Sequence, residues 1–302
     1  MATGRFAPSP TGALHLGNLR TALVAWLFAR STGSGFLVRM EDLDRVTSSR
    51  AHEADQLADL AALGLDWDGP VVRQSERFDR YRRALDVLRS AGLTYECYCT
   101  RREIREAAAA PHGPGYRVPG TCRSLTVRER AERRREGRPP AIRLRATGEE
   151  VTVHDRLAGA VTGVVDDVVL QRNDGVPAYN LAVVVDDAAQ GVEEVVRGDD
   201  LLSSTPSQAH LAGLLGLAIP TYAHVALVLG PDGERLAKRH GAVTLADLAA
   251  RGRSAAEVRA WLAVSLGLAT PGERVTAADV ADRFDPAVLP REPWTLSPAD
   301  LA

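Results

Sequence analysis

The fold is decided by residues 5–18, which read RFAPSPTGALHLGN. This stretch predicts a short strand at 5–7 and a turn-rich loop at 8–12, and the apolar side chains of 14–30 recur at helical spacing. A second buried strand is predicted at 36–40. Strand, loop, helix and strand in this order indicate a βαβ unit, which places ligand-binding residues at strand carboxyl ends and helix N-termini.

The same kind of structure is predicted to resume far downstream. A strand is predicted at 193–197, followed by a helix with Thr205 as its N-cap and Pro206 at its first position. A further buried strand is predicted at 222–229. The α/β core is therefore expected to be split by an insertion.

Composition divides the chain into four predicted regions. Residues 1–94 and 192–245 are expected to form the two halves of a Rossmann-like core with a parallel sheet. The segment 95–191 differs in character, with three cysteines, an arginine-rich run and short β-rich stretches, and is interpreted as an inserted domain. Residues 246–302 are expected to form a small helical region. The predicted fold class is α/β.

Length and hydropathy indicate a globular protein in the cytoplasm. The 302 residues are 45% hydrophobic and 25% charged, which is sufficient for a domain with a real core. No apolar run approaches the roughly 18 residues that cross a membrane, and the start of the chain lacks a signal-peptide pattern.

Charge is distributed unevenly. Residues 101–145 contain thirteen Arg against five Glu, whereas 146–200 contain three Arg against twelve acidic residues. This asymmetry indicates a basic face suited to RNA. The alternative is a solvated helix whose Arg and Glu side chains pair three or four residues apart.

Arginine supplies nearly all the positive charge. Of the 37 basic residues, Lys238 alone is a lysine. An ammonium is a compact charge with three freely oriented donors, so a single lysine in such a background is a candidate for a site that needs a point charge. The alternative is a chance survivor on the surface.

Phosphate chemistry is predicted at two separated places. The chain has no Gly-x-x-x-x-Gly-Lys-Ser/Thr loop. Instead, His15 near a helix start can donate to a triphosphate that the helix dipole favours, and Gly17 lets an adenine approach the backbone. Downstream, a loop with Arg235 and Lys238 can bring charge to a departing pyrophosphate. Taken singly, each fragment also fits a structural histidine or a solvated basic loop.

Together these motifs carry a family resemblance. Residues 5–12 (RFAPSPTG), 15–18 (HLGN) and 236–241 (LAKRHG) resemble class I glutamyl-tRNA synthetases. His15–Asn18 stand at that family's HIGH motif and Arg235–Arg239 at its KMSKS motif, with Ala237 in place of the serine. The resemblance implies a class I synthetase core that binds ATP with Mg²⁺, with His15 and Lys238 as catalytic residues. The implied ATP-binding residues are His15, Gly17, Asn18, Arg235 and Lys238.

The resemblance also implies a glutamate site at Arg5, Ser9, Glu41, Tyr179 and Arg197. The chemistry suits a glutamate, because an Arg fork pairs with a carboxylate and a Glu can hold an α-ammonium. Which of the two arginines takes which carboxylate stays open. Without the resemblance, Arg197 would be interpreted as a strand-end salt bridge to Asp199 or Asp200, and Tyr179 as a half-buried core aromatic.

Cys97, Cys99 and Cys122 can supply three of the four ligands of a tetrahedral structural zinc. Short members of the resembled family have a tyrosine four residues before the last cysteine, where this chain has Val118. The fourth ligand is therefore expected to be Tyr116, His112 or a water. The inserted domain is accordingly expected to bind zinc and to contact the acceptor RNA.

Only 57 residues follow Leu245, so no anticodon-binding domain is expected. Together with the cysteine-bearing insertion, this resembles the short branch of the family that attaches glutamate to the queuosine base of tRNA(Asp). That resemblance implies a monomer that forms glutamyl-adenylate from L-glutamate and ATP without tRNA, then transfers glutamate to tRNA(Asp) carrying queuosine. Three alternatives stay open: a minimal glutamyl-tRNA(Glu) synthetase, another nucleotidyl transferase acting on a small acid, and a non-catalytic tRNA-binding paralogue.

Overall fold

A seven-stranded, mostly parallel sheet forms the centre of the protein. The computed structural model describes residues 2–100, 102–104, 121–236 and 243–297. The strands lie in the order β3 (Val72–Arg73), β2 (Phe36–Met40), β1 (Gly4–Phe6), β9 (Glu194–Gly198), β10 (Thr221–Val225), β6 (Glu150–Asp155) and β7 (Gly159–Val164). All neighbours are parallel except β6 and β7. Strands predicted in the two halves of the core therefore meet at the β1–β9 pair.

Helices cover this sheet and fill the space around it. In chain order they are α1 (Leu16–Arg30), α2 (Arg50–Ala62), α3 (Phe78–Ser90), α4 (Val127–Arg135), α5 (Tyr179–Ala189), α6 (Thr205–Leu214), α7 (Leu245–Ala250), α8 (Ala255–Ser265) and α9 (Ala277–Asp282). Helix α1 packs against β1 and β9, and most of its side chains are buried. None of the helices in the described ranges is long and apolar enough to span a bilayer.

The segment 95–191 contributes to two sheets. Strands β4 (Thr94–Cys97), β5 (Ala141–Leu144) and β8 (Val169–Gln171) form a small antiparallel sheet. Strands β6 and β7 instead extend the central sheet through β10, and α5 packs against α3 and α6. Part of the predicted insertion is thus built into the core sheet.

The C-terminal region packs on the first helix. Phe284 meets Phe28 of α1 edge to face, with ring centroids 5.1 Å apart. The chain then returns to the centre, where β12 (Trp294–Thr295) pairs in parallel with β11 (Val228–Leu229). Residues from both ends of the chain share one hydrophobic cluster.

Two local predictions were wrong. Thr205 is not an N-cap: α6 begins at Thr205 after a 3₁₀ turn, and the Thr205 hydroxyl accepts a hydrogen bond from Arg197 Nη2 at 2.9 Å. The strand predicted at 222–229 is two strands, β10 and β11. The two are separated by residues 226–227, where the Ala226 carbonyl oxygen accepts from Arg20 Nη1 at 2.8 Å.

Candidate active site

A cavity of about 520 Å³ opens at the carboxyl ends of the central strands. It is lined by nine of the predicted site residues: Arg5, Ser9, His15, Gly17, Asn18, Glu41, Tyr179, Arg197 and Arg235. The tenth, Lys238, lies outside the described residues, as do Ala237 and Arg239. Residues that are far apart in sequence therefore share one concave surface, and their individual roles stay predictions.

His15 is fixed by the start of α1. Its Nδ1 accepts hydrogen bonds from the backbone N–H groups of Gly17 and Asn18, at 3.1 and 3.3 Å. Burial, and next the charge of Arg235, lower the pKa of His15 to about 4, so the ring is neutral near pH 7. Because Nδ1 is the acceptor, Nε2–H is the donor that His15 can offer to a phosphate.

Gly17 has a second reason to be a glycine. A Cβ at this position would lie 3.0 Å from Cε1 and Nδ1 of the His15 ring. Any side chain there would push on the ring that caps the helix. A glycine here therefore leaves the His15 ring in its capping position, and the predicted access for an adenine stays a prediction.

Arg5 already has a carboxylate partner. Its Nε and Nη2 donate to the two carboxylate oxygens of Asp187, at 3.1 and 3.3 Å, and both side chains are buried. Asp187 also accepts from Arg39 Nη1 at 2.8 Å. The fork that we expected to be offered to glutamate is thus largely occupied, and its charge is compensated.

Glu41 follows β2 at the edge of the cavity. Burial raises the pKa of this carboxyl, against the opposing charges of Arg39 and Arg5. Its Oε1 lies 3.4 Å from Arg39 Nη2. A carboxylate held here is suited to an ammonium group, which would favour the ionised form.

Arg197 is held differently from Arg5. Its three nitrogens donate to His224 Nε2 at 3.0 Å, the Tyr179 hydroxyl at 3.2 Å, Gln208 Oε1 at 2.7 Å and Thr205 Oγ1 at 2.9 Å. The alternative salt bridge to Asp199 or Asp200 does not form. Within the described part of the chain, no carboxylate is among its hydrogen-bond or ion-pair partners. Arg197 thus presents a buried, uncompensated positive charge at the cavity wall.

Arg235 forms an ion pair with Asp200 at the rim of the cavity. Both residues line it, and the Arg235 side chain is half exposed. An arginine at this position can exchange its carboxylate partner for a phosphate without crossing the protein interior. The ion pair was not anticipated from sequence.

The three cysteines converge outside the cavity. The Sγ atoms of Cys97, Cys99 and Cys122 all lie within 4.8 Å of one another, and the backbone N–H of Tyr98 donates to Cys122 Sγ at 3.3 Å. Three converging thiols could hold a metal ion, and they would supply three of the four ligands that a structural zinc requires. The predicted fourth ligands, Tyr116 and His112, lie outside the described residues.

Helix α4 carries part of the arginine-rich run. None of its side chains is fully buried, and all of its arginines are exposed except the half-buried Arg130. Two are paired as the solvated-helix alternative requires, Arg128 with Glu132 at 3.7 Å and Arg133 with Glu136 at 3.3 Å. Arg134 pairs instead with the distant Glu96, at 2.6 Å. The face is therefore basic but partly neutralised.

The sequence did not predict the buried residues that hydrogen-bond to Arg5 and Arg197, directly or through one another. They are Arg39, Asp155, Asp187, Gln208 and His224. One signal was available, because Asp186 and Asp187 follow the apolar run 181–185 on one helix and are both buried. A buried carboxylate requires a partner, and a nearby arginine was the natural candidate.

The chain is similar to known proteins over most of its length. The family model of class I tRNA synthetases (E and Q), catalytic domain, matches residues 1–295. The Glutamyl-Q tRNA(Asp) synthetase of Nocardia farcinica is 64% identical over 294 residues, covering 97% of this chain and 93% of the relative. That of Cutibacterium acnes is 58% identical over 271 residues, covering 88% and 76%. A glutamate tRNA ligase from Elizabethkingia meningosepticum, solved with its amino acid, superposes with a TM-score of 0.84 at 28% identity, covering 99% of this chain and 68% of that chain.

Proposed function

The chain belongs to the class I tRNA synthetases of the glutamate and glutamine type, and we propose that it activates L-glutamate with ATP and transfers it to the queuosine base of tRNA(Asp). The acceptor is proposed from relatives named Glutamyl-Q tRNA(Asp) synthetase, two of which are described above and match over most of their own length. The observation that carries the choice of amino acid is Arg197, a buried guanidinium whose described partners carry no negative charge.

Glutamate recognition is proposed to follow from opposite charges on one cavity. Arg197 offers its charge to a substrate carboxylate, and the Tyr179 hydroxyl beside it adds a donor. Glu41 holds the α-ammonium. The charge of Arg5 is compensated by Asp187. Arg5 is therefore proposed to bind glutamate mainly through the N–H groups that do not donate to Asp187. A zwitterion with an extra carboxylate satisfies this arrangement, whereas glutamine would leave the charge of Arg197 without a partner.

ATP is proposed to bind across the N-terminus of α1. The helix dipole and Nε2–H of His15 favour phosphate oxygens there, while Arg235 leaves Asp200 for the distal phosphates. An oxygen of the glutamate α-carboxylate attacks the α-phosphorus, the bond to the pyrophosphate breaks, and glutamyl-adenylate forms. Mg²⁺ bound to ATP would neutralise part of the phosphate charge. A queuosine hydroxyl then attacks the activated carbonyl carbon and AMP leaves.

We further propose that glutamate activation needs no tRNA. Arg197 is fixed by four protein hydrogen bonds, and Arg5 by its pair with Asp187, so the amino-acid site is organised before any RNA arrives. The cysteine cluster is proposed to hold a structural zinc, and the face of α4 to contact RNA. A monomer in the cytoplasm remains part of the proposal.

ATP/pyrophosphate exchange tests the activation step. Purified protein is assayed with Mg²⁺ and glutamate, glutamine or aspartate, with and without tRNA. Exchange with glutamate alone is the expected result. Exchange that requires tRNA would favour a minimal glutamyl-tRNA(Glu) synthetase, and exchange with another acid would favour a different nucleotidyl transferase. No exchange, together with salt-sensitive tRNA binding, would favour a non-catalytic binder.

A transfer assay tests the acceptor. Labelled glutamate is supplied with ATP and either tRNA(Asp) carrying queuosine or the same tRNA with unmodified guanosine, and the tRNA is then digested into fragments. Label on the queuosine-containing fragment alone is expected. Label on the 3′ fragment, or equal labelling of both tRNAs, would reject the proposed acceptor.

A further inference from the structure

A buried dyad lies directly behind Arg197. His224 on β10 is 4% exposed and does not line the cavity. Its Nε2 lies 3.0 Å from Arg197 Nε, and its Nδ1 lies 2.6 Å from Asp155 Oδ2. Asp155 also accepts from the His224 backbone N–H at 3.1 Å. Asp155, His224 and Arg197 thus form a continuous chain from β6 to the cavity wall.

The chemistry of these contacts fixes the proton on the ring. Arg197 Nε–H can only donate, so Nε2 of His224 must accept and carry no proton. The ring proton is then on Nδ1 and is donated to Asp155, which has no donor of its own when ionised. Arg197 therefore donates to His224, His224 donates to Asp155, and Asp155 only accepts. With a single ring proton, the histidine is neutral.

We infer that the Asp155–His224 dyad is a positioning device that orients the guanidinium of Arg197 toward a substrate carboxylate while leaving its charge uncompensated. This inference deepens the proposed function, on which the identity of that carboxylate as glutamate rests. His224 is a positioning residue, because it is buried behind Arg197 and does not line the cavity. Its Nε2 also lies 3.2 Å from the hydroxyl of Thr205, which itself accepts a hydrogen bond from Arg197.

The contrast with Arg5 shows what the dyad provides. A carboxylate placed directly on Arg197 would hold the guanidinium equally well but would neutralise it, as Asp187 does for Arg5. In the dyad, the negative charge of Asp155 is kept one imidazole away. The hydrogen-bond acceptors Gln208 Oε1 and Thr205 Oγ1, which also hold Arg197, are neutral as well. The guanidinium of Arg197 is thus held in one orientation by groups that do not neutralise its charge.

Two substitutions of similar size separate the halves of the dyad. In His224→Asn the amide lies near the position of Nδ1, so it can still reach Asp155 but offers nothing to Arg197. In His224→Gln the longer side chain brings its Oε1 to the position of Nε2, where it can accept from Arg197. His154→Asn, an exposed position next to Asp155 on the same strand, is the control for the substitution itself.

ATP/pyrophosphate exchange is measured for the three variants. His224→Asn should raise the KM for glutamate by about tenfold or more, the factor expected for one lost charge-assisted hydrogen bond. Its kcat and its KM for ATP should stay within about twofold. His224→Gln should keep the KM for glutamate within about threefold, and His154→Asn should match the parent protein. Equal KM values for the Asn and Gln variants, or equal losses for glutamate and ATP, would overturn the inference.

The ring proton is read independently of activity. Long-range ¹H–¹⁵N spectra of the histidine side chains at neutral pH, with His224 assigned by its absence in the Gln variant, should show the proton on Nδ1 and none on Nε2. A proton on Nε2, or on both nitrogens, would overturn the inference. If the parent protein shows no glutamate-dependent exchange, the proposed function fails and this spectrum alone decides the positioning role.

Discussion

Asp187 holds two buried arginines beneath the cavity, so its replacement by Asn should destabilise the fold strongly. It accepts from Arg5 at 3.1 and 3.3 Å and from Arg39 at 2.8 Å, and Arg39 is fully buried. Removing one partner of a buried ion pair costs about 3–5 kcal/mol. The lower end applies here, because the amide retains one acceptor oxygen and Arg39 keeps Gln190 at 2.9 Å. A loss of about 3 kcal/mol lowers Tm by roughly 6 °C in a domain of this size.

The pH dependence of this loss gives a second check. Burial raises the pKa of Asp187, but the charges of Arg5 and Arg39 outweigh it, and the net pKa lies below the ordinary value of 3.8. A carboxylate with a depressed folded-state pKa stabilises the protein above its unfolded pKa and loses that contribution as pH falls through the folded value. The difference between parent and variant should therefore be full at neutral pH and shrink below about pH 4.

Urea unfolding monitored by circular dichroism, repeated at neutral and acidic pH, measures both the loss of unfolding free energy and its pH dependence. The matched control is Asp174→Asn, which removes a surface partner of Arg172 and should leave the midpoint essentially unchanged. If Asp187→Asn shifts the midpoint no more than Asp174→Asn does, the ion pairs of Asp187 contribute no net stability and the reasoning is refuted.

Three further predictions concern activity and metal binding. Lys238→Met should lower the rate of adenylation by about 10² to 10³ with little change in folding, because one preorganised charge donor is lost; unchanged pre-steady-state kinetics would reject this role. Burial raises the pKa of Glu41 above its ordinary 4.5, and protonation removes its charge, so the KM for glutamate should rise as the pH falls toward that raised pKa. Glu41→Gln should have a high KM throughout and no such rise, and a parallel rise in the variant would exclude Glu41 as the ammonium partner. Cys122→Ala should lose one equivalent of zinc by elemental analysis and become more sensitive to heat, whereas equal metal content in variant and parent would exclude this cysteine as a ligand.

Local sequence patterns predicted the elements that build the cavity. Helix α1 was expected at 14–30 and occupies 16–30, because apolar residues at helical spacing report burial directly. Strand β2 begins and ends as predicted, at Phe36 and Met40. The family resemblance then selected nine residues that line one cavity.

Long-range pairing was not available from the sequence. His224 and Asp155 are separated by 69 residues, and neither lies in a recognisable motif. Thr205 has every local property of an N-cap, yet its hydroxyl is used by Arg197, so a tertiary contact overrides capping propensity. Arg5 and Arg197 look alike in sequence and differ only in what lies behind them, which required the fold.

The parallel pairing of β11 with β12 makes the local stability of the cavity wall depend on the far end of the described chain. Val228 lines the cavity, and the backbone N–H of Trp294 donates to the carbonyl oxygen of Leu227 at 2.9 Å, immediately beside it. A local opening that releases β12 and the helices before it would also uncover the cavity wall. Backbone amides of β11 and of α8 should therefore exchange with solvent deuterium as one cooperative unit. Substrate binding at the cavity would then slow exchange in a helix that never touches the substrate.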